Sequence, residues 1–295
     1  MTKLPPAMQG HAAMLAFSAL IAGSFSLGSL AAPHIEPGPL NTVRFLLAAT
    51  IATAIAAGTG RLPRGAFRAP WRYAVLGALF VTYFVTMFEA LKTVSAVSTS
   101  AVFTLTPLIA ALLGWALLGQ RMTTRMSLAL AFGGLGALWV IFRADLDALL
   151  SFDIGTGEAL FFVGCVAHAI YPTATRLLNR GEPAMAVNAG MLIAGFILLI
   201  IYSWPDLRST NWSDLPMIVW TTIFYTSVFS GVTTLTLLQF ASMRLPSGKV
   251  MAYTYLVPAW VLVWQMSLGN GLPAPILLVG VVATIIALLA LLADE

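Results

Sequence analysis

Apolar residues fall into ten blocks of about twenty: about 11–33, 38–58, 71–92, 95–118, 124–142, 155–178, 184–204, 214–242, 246–268 and 274–292. Each is long enough to cross a bilayer as a helix. The links between them are short and rich in breakers: Pro37-Gly38-Pro39, Gly58 to Pro70, Gly181-Glu182-Pro183, Pro205, Pro246-Ser247-Gly248 and Gly269 to Pro275. No link is long enough for a soluble domain. The pattern predicts an all-α membrane protein of ten transmembrane helices.

One unit occurs twice. Leu91 to Gly119 reads LKTVSAVSTSAVFTLTPLIAALLGWALLG, and Ser242 to Gly269 reads SMRLPSGKVMAYTYLVPAWVLVWQMSLG. Each copy has a basic residue near its start (Lys92, Arg244), then small residues, then an apolar helix with a central proline (Pro107, Pro258). With the prolines aligned, Ala90 meets Ala241, Ala101 meets Ala252 and Leu105 meets Leu256. Such a proline removes a helical hydrogen bond and frees the carbonyl four residues back, here Phe103 and Thr254. Within a bilayer a freed carbonyl is tolerated only against protein or a watery cavity. Either proline alone reads equally well as a packing kink. The matched pair points to hinges facing an interior cavity.

Composition agrees. Of 295 residues 59% are hydrophobic and 9% charged, against roughly 25% charged in a soluble domain. The single cysteine, Cys165, excludes an internal disulfide. The apolar run from Ala12 to Ala32 exceeds a signal-peptide core and reads as a retained first span. With the N-terminus inside, the cytoplasmic links collect Lys3, Arg61, Arg64, Arg68, Arg72, Arg121, Arg125, Arg176, Arg180, Arg244 and Lys249. The outer links collect Lys92, Arg143 and Arg208, while Arg44 falls within a span. Eleven against three sets both termini in the cytoplasm. The formal charge of +4 therefore belongs to the membrane orientation and does not suggest nucleic acid.

The longest outer link, Arg143 to Glu158, lies midway and carries Asp145, Asp147, Asp153 and Glu158. It divides the chain into halves of five spans, 1–148 and 149–295. An odd number of spans per half makes the repeat inverted, an arrangement shared by many secondary transporters.

The unit Ala90 to Ala96 (ALKTVSA), the Leu105 to Leu108 stretch LTPL, the Leu117 to Gln120 stretch LLGQ and the Asn41 to Phe45 stretch NTVRF resemble the EamA-type drug/metabolite transporter superfamily. The likeness covers the whole chain and is nearest to the bacterial exporters of aromatic amino acids. Gln120 and Asn270 stand where that family often has an acidic residue, and Asn188 stands where the first repeat has Arg44. The resemblance implies a multi-pass bacterial inner-membrane exporter of small amphiphilic metabolites. It also implies a central cavity lined by the first, third, fourth, sixth, eighth and ninth spans.

Polar residues within the spans are the candidate substrate contacts. Tyr83, Thr86 and Glu89 share one face of the third span. Glu89 reads either as an ammonium or proton-coupling site or as an interfacial partner of Lys92. The fourth span offers Ser100 and Thr104 beside Pro107. The sixth offers His168 and Tyr171, followed by Pro172 and Thr175. The eighth offers Tyr225 and Gln239, and the ninth Tyr253 and Trp260 around Pro258. Aromatic faces with hydroxyls suit a ligand having a ring and a polar head, and they suit interhelical packing equally. Ser18, Ala22, Phe25 and Ser29 with Gly23 and Gly28, and Gly133, Gly134 and Gly136, read as close-packing faces. Arg44 reads as structural, bonded to a helix carbonyl.

The remaining chemistry narrows the function. No second histidine or carboxylate stands at metal spacing from His168. No nucleotide or hydrolase motif occurs, and Gly155-Thr156-Gly157 follows no strand. No cofactor, metal or catalytic residue is therefore expected. The expected function is export of aromatic or similar amphiphilic amino acids by alternating access, by a monomer or weak dimer in the lipid bilayer. Rivals are the same fold carrying nucleotide sugars, phosphosugars or cationic drugs, a membrane-embedded enzyme, and a passive channel.

Overall fold

A computed structural model describes residues 5–63, 65–119, 123–142, 144–151, 154–242, 244–245, 247–270 and 274–293. Lys3, Arg64, Gln120, Arg121, Arg143, Asp153 and Pro246, all used in the sequence reading, lie outside the described residues.

The first half comprises α1 (Pro6–Ala31), α2 (Pro37–Gly58), α3 (Trp71–Ala90), a fourth span made of α4 (Ala96–Phe103) and α5 (Thr106–Leu118), and α6 (Thr124–Ile141). A short α7 (Leu146–Ser151) lies in the central link. The second half comprises α8 (Thr156–Leu178), α9 (Ala184–Ser209), an eighth span made of α10 (Met217–Ser227) and α11 (Thr234–Ser242), a ninth made of α12 (Ser247–Ala252) and α13 (Val257–Ser267), and α14 (Pro275–Leu292). Among the described residues, nine of these spans are long and apolar enough to cross a membrane as they stand. The ninth in chain order is the broken segment α12–α13, which completes the expected ten. No strand occurs among the described residues.

Both predicted proline sites interrupt their helices. At Pro107 the turn tightens, with the Thr104 and Leu105 amides donating to the Ala101 and Val102 carbonyls at 3.0 and 3.1 Å. At Pro258 a 3₁₀ turn, Tyr253–Leu256, joins the two pieces. A threonine hydroxyl bonds back three residues in each break, Thr104 to Ala101 at 2.6 Å and Thr254 to Met251 at 2.9 Å. Both prolines are buried within the protein.

Two elements differ from expectation. Pro205 does not end its span: α9 continues to Ser209 through a kink at Ser203 (φ −103°, ψ 15°), where the proline ring cannot fit a straight helix. The eighth span contains a π-helical stretch, Val228–Thr233, between α10 and α11. The Arg44 Nε donates to the Thr226 carbonyl at its edge, 3.2 Å away.

The packing repeats with the halves exchanged. Helix α2 packs on its counterpart α9, and α6 on its counterpart α14. The third span packs on the sixth (α3 on α8) as the eighth packs on the first (α10 and α11 on α1). The fourth packs on the sixth as the ninth packs on the first. Glycine permits the closest approach. A Cβ on Gly136 would meet the Gly280 carbonyl at 2.8 Å, and one on Gly280 would meet the Gly136 carbonyl at 2.5 Å, so α6 and α14 touch through their backbones. Outward, Ile276, Val279, Val282, Ile286 and Leu289 form an exposed apolar stripe on α14, the kind of face a lipid-contacting helix shows.

Candidate transport cavity

A cavity of 330 Å³ opens among α8, α9, α11 and α12 on the face where α1 begins. Its walls are mostly apolar: Leu235, Leu238, Val250 and Met251, with Pro172 and Val187. The polar groups are Tyr171, Thr175, Arg176, Asn179 and Gln239. A smaller recess of 60 Å³ shares Pro172, Arg176 and Met251 and reaches Pro107 and Leu130. The local sequence explains the opening. Pro172 removes the helical bond to the His168 carbonyl and stands in the wall. Across from it, α12 is only six residues long before the 3₁₀ turn begins.

Of the residues expected to bind substrate, Tyr171 and Gln239 line this cavity. The Gln239 Nε2 donates to Asn188 Oδ1 at 2.8 Å. The Tyr171 ring forms part of the floor and stands edge-on to Phe80, with centroids 4.4 Å apart.

Tyr83 and His168 lie deeper, in a closed aromatic centre with Phe25, Phe103 and Phe161. Their rings are 4.6 Å apart. The Tyr83 hydroxyl and the His168 Nδ1 are buried without a hydrogen-bond partner. Thr86 bonds back to the Thr82 carbonyl, and Ser100 to that of Val97. These two and Thr104 are not among the cavity-lining residues.

Three other expected contacts hold α1 in place. The Tyr225 hydroxyl donates to the Leu20 carbonyl at 2.8 Å. The Trp260 indole donates to Ser18 Oγ at 3.1 Å, and the Tyr253 hydroxyl is bonded to His11 Nδ1 at 2.9 Å. Pro107 lines the smaller recess, while Pro258 packs in the core. Glu89 lies at the end of α3, half-exposed, 3.3 Å from Lys92, which also holds Glu36 at 2.6 Å. Burial works against the Lys92 ammonium, but its bonds to Glu36 and Glu89 outweigh this and hold its pKa above the ordinary lysine value.

Several wall residues were not anticipated. Arg176, Asn179 and Asn188 carry polarity into or beside the cavity, but nothing in their spacing separates them from ordinary span ends. Of the six spans named by the resemblance, the sixth, eighth and ninth line the open cavity, the fourth reaches only the smaller recess, and the first and third line neither, while the seventh, not named, contributes Ala184 and Val187. The cavity lip is fixed by Arg72. It donates to the Leu178 carbonyl at 2.6 Å and to Glu182 at 2.5 Å, with side chains 4% and 9% exposed. The Arg72 hydrogen bond lowers the Glu182 carboxyl to a pKa of about 2.

The two halves differ at matched positions. A shift of 151 residues, set by the aligned prolines, carries Phe84, Met87, Phe88, Thr99 and Ser100 onto Leu235, Leu238, Gln239, Val250 and Met251. The second set lines the open cavity. The first set is buried throughout, with Met87 and Ser100 at 0% exposure. None of the first set lines either cavity, so these matched positions on the opposite face are closed, although a recess of 640 Å³ opens at that face among Pro33, Glu36, Lys92, Asp206 and Asp214.

Comparison with known proteins agrees with this architecture. The pattern of the EamA-like transporter family matches residues 8–142 and again 155–293. A Bacillus subtilis (strain 168) protein, "Uncharacterized transporter YyaM", is 24% identical over 281 residues, covering 95% of this chain and 91% of the relative. A solved structure described only as "Crystal structure of protein" superposes with a TM-score of 0.73 at 18% identity, over 97% of this chain and 95% of that one. At that identity the likeness bears on the fold alone. The chain is a multi-pass membrane protein belonging to the EamA-like transporter family.

Proposed function

We propose that the protein exports aromatic or similar amphiphilic amino acids across the bacterial inner membrane by alternating access, with both termini in the cytoplasm. The observation that carries this reading is the matched pair of sites, one open and one shut. Exchanging the conformations of the halves (1–148 and 149–295) would close the present cavity and open its mate. A fixed pore would need both at once. The arginine-rich links around the open cavity support a cytoplasmic opening.

The wall chemistry supports the cargo class. A mostly apolar cavity of 330 Å³ is at the lower end of ligand pockets. It suits a molecule with one ring better than a nucleotide sugar. No carboxylate occurs among its lining residues, which disfavours cationic drugs. Purified protein in vesicles loaded with labelled phenylalanine tests the reading. Saturable, protein-dependent efflux is expected. The absence of flux for every aromatic amino acid would overturn it.

A further inference from the structure

Arg44 is the anomaly of the interior. It is 2% exposed, and among the described residues no carboxylate is ion-paired with it. Its Nε reaches the Thr226 carbonyl, and its Nη1 reaches Asn41 Oδ1 only at 3.4 Å. The guanidinium carbon lies 3.5 Å from the centre of the Phe84 ring. An aromatic face attracts a cation, but it substitutes poorly for a counter-ion in a site removed from water.

The neighbours share this incompleteness. The Phe84 ring packs on Tyr83 with centroids 4.6 Å apart, and Tyr83 packs on His168 at the same distance. The Tyr83 hydroxyl and His168 Nδ1 are the unpartnered atoms described above. Arg44 lies seven residues after the start of α2, and Tyr83 seven before the end of α3. At 1.5 Å per residue, both stand about 10 Å below the same face. A guanidinium and two unsatisfied polar atoms thus border one aromatic wall.

Position gives this cluster its meaning. Phe84 corresponds to Leu235, which lines the open cavity. It is therefore one of the residues that must give way when the opposite face opens. Arg44 lies directly behind it. Counted from the helix starts, Asn188 of α9 stands level with Asn41 rather than with Arg44, and the position matching Arg44 carries the uncharged Met191. The two cavities thus carry their cations on different elements, Arg176 on α8 at the open one and Arg44 on α2 behind the shut one.

Resting on the transport reading above, we propose that Arg44, with Tyr83 and His168, is the subsite that receives the cargo's carboxylate, exposed when the opposite face opens. Its planar fork offers paired donors to a carboxylate. The Phe84 and Tyr83 faces accommodate the cargo's apolar body. The ligand class is an amphiphilic monocarboxylate with a ring, and a decarboxylated amine of the same shape is excluded.

Vesicle flux of phenylalanine, phenylpropionate and phenethylamine, in the wild type and in Arg44→Gln and Arg44→Lys, tests this. The wild type is expected to carry the two carboxylates and discriminate against the amine. Arg44→Gln keeps a donor for Thr226, and is expected to raise the phenylalanine KM by about tenfold or more and bring the flux ratio to the amine near one. Arg44→Lys is expected to recover part of that ratio. A structural role alone would lower all three fluxes together and leave the ratio unchanged, which overturns the proposal. Wild-type transport of the amine equal to that of phenylalanine also overturns it, whether or not the variants fold, while leaving the export reading intact. Flux of none of the three defeats that reading, and this proposal with it.

Discussion

The Phe80 ring stands edge-on to that of Tyr171, 4.4 Å between centroids, and also packs on His168 at 6.0 Å, so it bridges the floor of the open cavity and the closed aromatic centre. Whatever rests on Tyr171 is mechanically coupled to α3. Tyr171→Phe preserves this contact and is expected to keep phenylalanine flux within about twofold of wild type. Tyr171→Ala removes a pair contribution of about 0.5–1.5 kcal/mol and is expected to raise KM by about two- to tenfold. Initial-rate flux in vesicles measures both. Equal loss in the two variants would assign the role to the hydroxyl instead.

The Arg72–Glu182 pair ties α3 to the α8–α9 link and gives stability a pH dependence. The Glu182 carboxyl has its folded pKa lowered to about 2 from an ordinary 4.5. Its contribution is therefore complete above pH 4.5 and is lost as pH falls towards 2. Thermal melts in detergent are expected to show the wild type losing stability across that window. Glu182→Gln should start lower by about 1–2 kcal/mol, as for a lost hydrogen bond to a charged group at the surface, and show a shallower fall. Parallel curves would remove the pair from the explanation.

Close backbone contact makes α6 and α14 intolerant of side chains. Gly280→Val would drive a Cβ and two methyls into the Gly136 carbonyl. The expected cost is at least about 1–3 kcal/mol, read as a lower melting temperature and a poorer monodisperse yield. A variant melting like the wild type would contradict the packing described.

Glu89 is expected to have little part in transport. It is half-exposed, and Lys92 keeps Glu36 when Glu89 is neutralised. Glu89→Gln should change stability by less than about 1 kcal/mol and leave the flux–pH profile between pH 6 and 8 superimposable on wild type. A displaced or flattened profile would restore a coupling role.

Much of the fold was legible because bilayer burial imposes a strong code. Block length marked the spans, and the two prolines marked the breaks in the fourth and ninth, while no proline announced the π-helical break in the eighth. The odd number of spans per half dictated inversion. Pro205 misled because a proline near a helix end can be absorbed by one kinked residue, here Ser203. The site was legible only in part. Tyr171 and Gln239 line the cavity, whereas Tyr225, Tyr253 and Trp260 anchor α1. A hydroxyl or an indole N–H on an apolar face meets a ligand or a neighbouring helix with equal ease, and periodicity does not distinguish the two. Nor does either copy of the repeated unit specify which one is packed shut. That depends on bulk at matched positions, Phe84 and Phe88 against Leu235 and Gln239.

The most direct measurement compares matched cysteines, Met251→Cys and Ser100→Cys, each in a Cys165→Ala background, labelled from either side of oriented vesicles with a membrane-impermeant thiol reagent. The expected result is labelling of position 251 from the arginine-rich face alone and of position 100 from the opposite face alone, with cargo gradients raising one rate as they lower the other. Simultaneous labelling of both positions from one face, or rates that rise together with cargo, would contradict alternating access and indicate a continuous pore.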